Sequence, residues 1–284
     1  MERSTRYTAR VALTVALGGF LMGFDASVIS GVVGFIEPEF GLSKIELGWA
    51  VASLTLTATL AMMLSGPLSD RLGRRPVLTL AAVLFAVSAV ASALAPNFAT
   101  LVIARMVGGL GVGAALIIAP MYIAEIAPAD VRGRMVSFNQ LNIVVGISAA
   151  YFCNYLILGL ADSDLAWAQA LGIGDWQWRW MLGVEALPAI FYFFALYAVP
   201  ESPRWLVMKG RDGEAREILN RVADPEQAKS DLDGVRESIA ADSGNERIRL
   251  GELFSPAMKL IMTIGISDRK STRLNSSYSS VSRM

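Results

Sequence analysis

The chain has 284 residues, 54% of them hydrophobic, with 25 Lys and Arg against 25 Asp and Glu, and its mean hydropathy is +0.48. Apolar residues gathered in long runs exclude an ordinary soluble domain, and zero net charge offers nothing to a nucleic acid. There is no histidine, which removes imidazole metal sites and imidazole proton relays, and the lone Cys153 excludes a disulfide scaffold.

Six hydrophobic runs, at about 11–36, 47–68, 76–96, 99–123, 136–160 and 180–199, predict membrane-spanning helices. The first follows Arg3, Arg6 and Arg10, as a signal peptide would. It is longer than a signal core and lacks a small-x-small cleavage site, so it reads as an uncleaved first helix. Asp25 sits in its middle. A charge at that depth costs about 2.5–3.5 kcal/mol on insertion scales, so the carboxylate must face a partner or a water-filled cavity. Basic residues fall in alternate loops: the N-terminus, then Arg71, Arg74 and Arg75, then Arg132 and Arg134. The other loops carry only Lys44 and Arg179, which predicts both ends of the six-helix unit in the cytoplasm. The first outside loop is acidic (Glu37, Glu39, Glu46). The third, about 161–179, holds Trp167, Trp176, Trp178 and Trp180, which read as an aromatic belt at the membrane surface rather than a ligand platform.

Beyond Pro200 the chain turns polar, and residues 201–257 predict amphipathic cytosolic helices. Asp212 caps one, with Ala215, Ile218, Leu219 and Val222 on a face; Asp224-Pro225 opens the next, with Ala228, Leu232, Val235 and Ile239 at helical spacing, and Ser243-Gly244-Asn245 breaks it. Residues 250–254 form another short helix in this reading, and 258–266 begin a seventh hydrophobic run too short to span. The Ser-rich basic tail, 267–284, is expected to be non-native, with a natural disordered terminus as the alternative. Residues 1–200 are thus a membrane bundle, 201–257 a cytosolic segment, 258–266 a truncated start and 267–284 a tail.

The loop after the second run, Gly66-Pro67-Leu68-Ser69-Asp70-Arg71-Leu72-Gly73-Arg74-Arg75, combines glycine turns, a capping Asp and three arginines. The fourth run carries Arg105 ahead of Gly108, Gly109, Gly111 and Gly113. A dinucleotide fingerprint is rejected there, because no strand precedes a run of membrane length. Gly109-x-x-x-Gly113, and Gly19-x-x-x-Gly23 in the first run, instead predict close approach of helices one and four, which would let Asp25 and Arg105 meet.

These motifs, with Pro120-x-Tyr122-x-x-Glu125, Arg132-Gly133 and Pro200-Glu201-Ser202-Pro203-Arg204-Trp205-Leu206, resemble the sugar porter family of the major facilitator superfamily over residues 9–266. The resemblance implies an all-α membrane protein: the six-helix N-terminal half of that fold plus cytosolic helices. It implies no enzyme and no cofactor. Asp25 matches the proton-coupling acid and Arg105 its partner. Gln140 matches a sugar-contacting glutamine, and Phe24 and Asn139 join it as candidate substrate-binding residues. Gly66, Asp70, Arg74, Arg75, Glu125, Arg132, Glu201 and Arg204 match the cytoplasmic network that latches the outward-facing state. Met22, Phe24 and Ile147 depart from residues common in the family, so the sugar stays open. The implied partners are a sugar, a proton, the lipid bilayer and a C-terminal six-helix half missing here, with no nucleic acid. The scarcity of cysteine and of long loops suits a bacterial inner membrane. A passive facilitator, a half-transporter inactive alone and a static Asp25–Arg105 bridge are the competing readings. An intramembrane protease is disfavoured, since the other runs are read as offering no second acid at the depth of Asp25 and the chain has no histidine.

Overall fold

The chain's first helix, α1 (Glu2–Phe40), is followed by α2 (Lys44–Leu72), α3 (Arg74–Ala93), α4 (Phe98–Ile126) and α5 (Arg132–Ala161). A short α6 (Ala166–Ala170) leads to α7 (Gln177–Gly183) and α8 (Ala186–Ala195), then to α9 (Pro203–Met208), α10 (Asp212–Val222) and α11 (Pro225–Gly244). The computed structural model describes residues 2–128 and 131–244. The expectations for 250–254, 258–266 and 267–284 therefore lie outside the described residues. Met1–Val235 form one unit, and a second begins at Arg236 within α11. Among the described residues, six helices are long and apolar enough to cross a membrane: α1 to α5, and α7 with α8 and the 3-10 turn Leu196–Ala198 taken together.

Local chemistry sets several helix starts. Ser43 and Glu46 form a reciprocal capping box on α2, and the Asn97 side chain accepts the Thr100 amide at the start of α4. Asp212 is the first residue of α10 rather than its cap; Arg211 occupies that place and pairs with Glu214. The sixth span is broken where a continuous helix was expected. Pro188 lacks an amide hydrogen for the Val184 carbonyl, so the helix stops at Gly183 and restarts at Ala186.

Burial separates the centre of the bundle from its flanks: 61% of the apolar stretch is buried in α1 and in α4, against 33% in α2 and 28% in α5. The central α4 packs on α1, α2 and α3; α1 packs along α5; and α3 meets α7 and α8. The glycine pairs serve other seams than the sequence predicts. A Cβ on Gly19 would lie 2.8 Å from the Asn139 carbonyl and one on Gly23 2.1 Å from the Ile143 carbonyl, both on α5. Gly146 answers from α5, 2.1 Å from the Phe20 carbonyl. Gly109 and Gly113 press on α2, at Leu54 and Ala58. The pairs thus bring α1 to α5 and α4 to α2, where backbone contact supplies the dispersion that holds membrane helices together. Periodicity marks a small-residue face without naming what covers it.

Candidate functional site

Asp25 and Arg105 meet between α1 and α4. Arg105 Nη1 donates to Asp25 Oδ1 at 2.6 Å and Nη2 to the Asp25 carbonyl at 3.1 Å. Their side chains are 1% and 2% exposed. What permits the approach is Gly108: a Cβ there would lie 3.1 Å from Asp25 Oδ2 and 2.5 Å from Ser88 Oγ. Two charges this deep are favourable only together, since desolvation of either alone costs several kcal/mol (roughly) after relaxation.

A third ionisable group was missed by the sequence reading. Glu185 is 3% exposed, sits at the break between α7 and α8, and lies close enough to feel the charges of both Asp25 and Arg105. This corrects the expectation that no second acid shares the depth of Asp25. The signal was available, because Glu185 interrupts an apolar run as Asp25 does. Asp25 Oδ2, Arg105 Nε and Glu185 Oε1 are buried and find no hydrogen-bond partner among the described residues. The region thus buries one guanidinium and two carboxyls, with hydrogen-bonding capacity to spare.

The predicted sugar-contacting residues separate. Gln140 is exposed on α5. Asn139 is buried against Gly19, and Phe24 is buried in the α1–α5 core, tilted against Phe20.

At the basic end a second charged cluster forms. Arg74 binds both oxygens of Glu125, from Nε and Nη2, each at 3.0 Å, while its Nη1 donates to Asp70 at 3.0 Å and to the Ser69 carbonyl at 3.1 Å. Glu201 accepts the backbone amides of Arg74, Arg75 and Ser202 at 2.9, 3.2 and 2.8 Å. Burial outweighs these donations and holds the Glu201 carboxyl above the usual carboxylate range. Ser202 donates its hydroxyl to Glu125 and caps α9. Arg204 is on α9 beside the cluster.

Three predicted members stand differently. Arg75 joins through its backbone, while its side chain turns to Tyr197. Arg132 is exposed at the start of α5, apart from the cluster. Gly66 lies inside α2 and meets nothing. The turn depends on Gly73, whose φ is +105° and whose Cβ would fall 2.4 Å from Glu201 Oε2, so both strain and sterics require glycine there.

At the opposite end, Glu39 accepts from Trp178 Nε1 and, at 3.3 Å, from Arg179. Arg179 also donates to the Ala95 carbonyl at 2.6 Å and stacks 4.2 Å over the Trp178 ring. Trp167, Trp176 and Trp180 are exposed, as a belt requires, but Trp178 is buried and joins α1 to α7.

Residues 11–268 match the family model "Sugar (and other) transporter". The chain is 38% identical over 269 residues to the arabinose-proton symporter of Bacillus subtilis (strain 168), covering 93% of this chain and 55% of the relative. It is 39% identical over 230 residues to the galactose-proton symporter of Escherichia coli (strain K12), covering 81% of this chain and 46% of the relative. Among solved structures, the major facilitator proton:xylose symporter XylE bound to 6-bromo-6-deoxy-D-glucose superposes with a TM-score of 0.77 at 36% identity, over 84% of this chain and 54% of that one. These relatives are transporters, not enzymes. The chain spans about half the length of the curated relatives it matches.

Proposed function

The chain belongs to the sugar (and other) transporter family of the major facilitator superfamily, and from that premise we propose that it supplies the N-terminal half of a proton-coupled sugar symporter. It is an integral, multi-pass membrane protein. We place the basic end in the cytosol by the distribution of arginines, in keeping with a bacterial inner membrane. The substrate is a monosaccharide or polyol, a reading supported by the relatives that carry arabinose and galactose with protons.

The observation that carries the proposal is the buried ion pair of Asp25 and Arg105. The guanidinium supplies the counter-charge for a carboxylate at that depth. If rocking of one half against the other parts the pair, the dry site favours the neutral acid, and a proton from the accessible side moves onto Asp25. Glu185 adds a second buried carboxyl near this pair. Exposed Gln140 offers amide donors and an acceptor to a sugar hydroxyl, while Asn139 and Phe24 set α1 against α5 behind it. Arg74, Asp70, Glu125 and Glu201 form the cytosolic latch of the outward-facing state, closing against the second half.

The test is Asp25→Asn in the complete two-half transporter. Accumulation against a gradient should vanish while sugar exchange persists; undiminished accumulation sinks the coupling role. A wild type that equilibrates sugar without accumulating it would be a passive facilitator instead.

A further inference from the structure

At the basic end a cavity of about 670 Å³ opens beside α3, and it meets the ion-pair cluster at Glu201 and at Arg75, whose backbone amide Glu201 accepts. One wall comes from the ends of the spanning helices: Leu72, Arg75, Pro76, Thr79 and Tyr197. The facing wall is α10, with Arg211, Glu214, Glu217 and Arg221. The charges on that wall are already matched. Arg211 binds Glu214 through two bonds of 2.7 Å, and Arg221 binds Glu217. Arg75 differs. Among the described residues its guanidinium donates to one neutral acceptor, the Tyr197 carbonyl at 3.3 Å, and stacks 5.5 Å from that ring's centre, with no carboxylate paired to it. Among the described residues it is the one arginine lining the cavity without a paired carboxylate.

Above the cavity the surface becomes apolar along both helices. Val83 and Val87 follow Thr79 at four-residue steps on α3, and Phe194, Phe191 and Ile190 precede Tyr197 on α8. All five apolar side chains are exposed, and α3 packs on α8. A guanidinium at the foot of an exposed apolar face is the arrangement an amphiphile fits. With the charges of the α10 wall matched among themselves, Arg75 offers one positive charge, which suits the single negative charge of a phosphodiester better than a multiply charged soluble phosphate.

We propose that this cavity binds a phospholipid of the cytosolic leaflet, its phosphate on Arg75 and its acyl chains along α3 and α8. The site rests on the orientation proposed above but not on sugar transport, so the two can fail separately. A guanidinium–phosphate contact is charge-assisted and bidentate where geometry allows, which makes Arg75 the determinant of affinity.

Dioleoylphosphatidylglycerol, titrated onto the detergent-purified chain and read by native mass spectrometry, tests the proposal. One lipid should bind in preference to the rest. Arg75→Gln should weaken it about tenfold, the size of a lost charged hydrogen bond, and Arg75→Lys should recover part of the loss. Arg134→Gln, an exposed arginine elsewhere at that end, should change nothing. Dioleoylglycerol, with the same chains and no phosphate, should bind at least about tenfold more weakly. Thr79→Trp, which fills the mouth while keeping Arg75, should also expel the lipid, so a folding defect in one variant does not decide the matter. Unchanged binding in Arg75→Gln or Thr79→Trp overturns the proposal, as does equal binding of dioleoylglycerol. Displacement of the lipid by millimolar inorganic phosphate overturns it too, because the cavity is then a soluble anion site.

Discussion

Arg105→Gln tests how the charge at the centre of the bundle is balanced. Arg105 is 1% exposed and contributes bonds of 2.6 and 3.1 Å to Asp25, with Glu185 inside the same field. Removing the guanidinium bares two carboxyls at once. Breaking one partner out of a buried pair costs about 3–5 kcal/mol. Adding Asp25→Asn to that variant should stabilise it, because neutral groups of similar shape that can hydrogen-bond each other replace a buried ion pair at small net cost. The double variant should lie within about 1–2 kcal/mol of wild type, a recovery of roughly 1–4 kcal/mol over Arg105→Gln alone. At about 2–4 °C per kcal/mol for a chain of this size, the single variant should melt roughly 6–20 °C below wild type and the double roughly 2–8 °C below. Thermal unfolding of the detergent-purified protein, followed by tryptophan fluorescence, reads both. Glu185→Gln on the Arg105→Gln background should also recover stability, since it removes the other bared carboxyl. A double variant as unstable as the single, or worse, would refute the reasoning that these groups exist to neutralise one another.

Other perturbations test the seams and the two ends. Gly23→Ala sets a methyl 2.1 Å from a backbone oxygen that cannot swing aside, so α1 and α5 must part at a cost of about 1–3 kcal/mol or more; Gly34→Ala, which meets nothing, should melt as wild type does. Equal melting points for the two would show the α1–α5 contact to be loose. Burial raises Glu201 above its ordinary value of 4.5, so between 4.5 and the raised value the folded protein binds more protons than the unfolded one. Stability from this group therefore falls as pH rises through that window, and Glu201→Gln should flatten that part of the melting profile; a wild-type-minus-variant difference independent of pH would contradict it. At the opposite end, Glu39 is 42% exposed and Glu39→Gln should cost about 1 kcal/mol or less, whereas Trp178→Ala empties a buried site and should cost about 3–5 kcal/mol. Similar losses from both would mean that the hydrogen bond, not the packed ring, joins α1 to α7.

The sequence by itself determined the class and the membrane architecture. Runs such as that around Asp25 are long because each must cross a bilayer, and the bilayer leaves only helices to do it. It also identified Asp25 and Arg105 as partners, since a charge so costly at that depth implies its counter-charge. Tertiary structure decided what faces what. Gly19 and Gly23 look alike to any neighbour until α5 is laid on them, and Gly113 until α2 is. Gly73 rather than Gly66 carries the turn, because only the folded loop brings Glu201 against it. Arg75 reads as one more cation in a basic loop, yet its side chain turns away from Glu125 toward Tyr197, 122 residues along the chain. Glu185 was legible as an acid in an apolar run, but its burial near the Asp25–Arg105 pair was not. Which charge answers which is set by distances between helices remote in sequence, and local pattern carries no record of those distances.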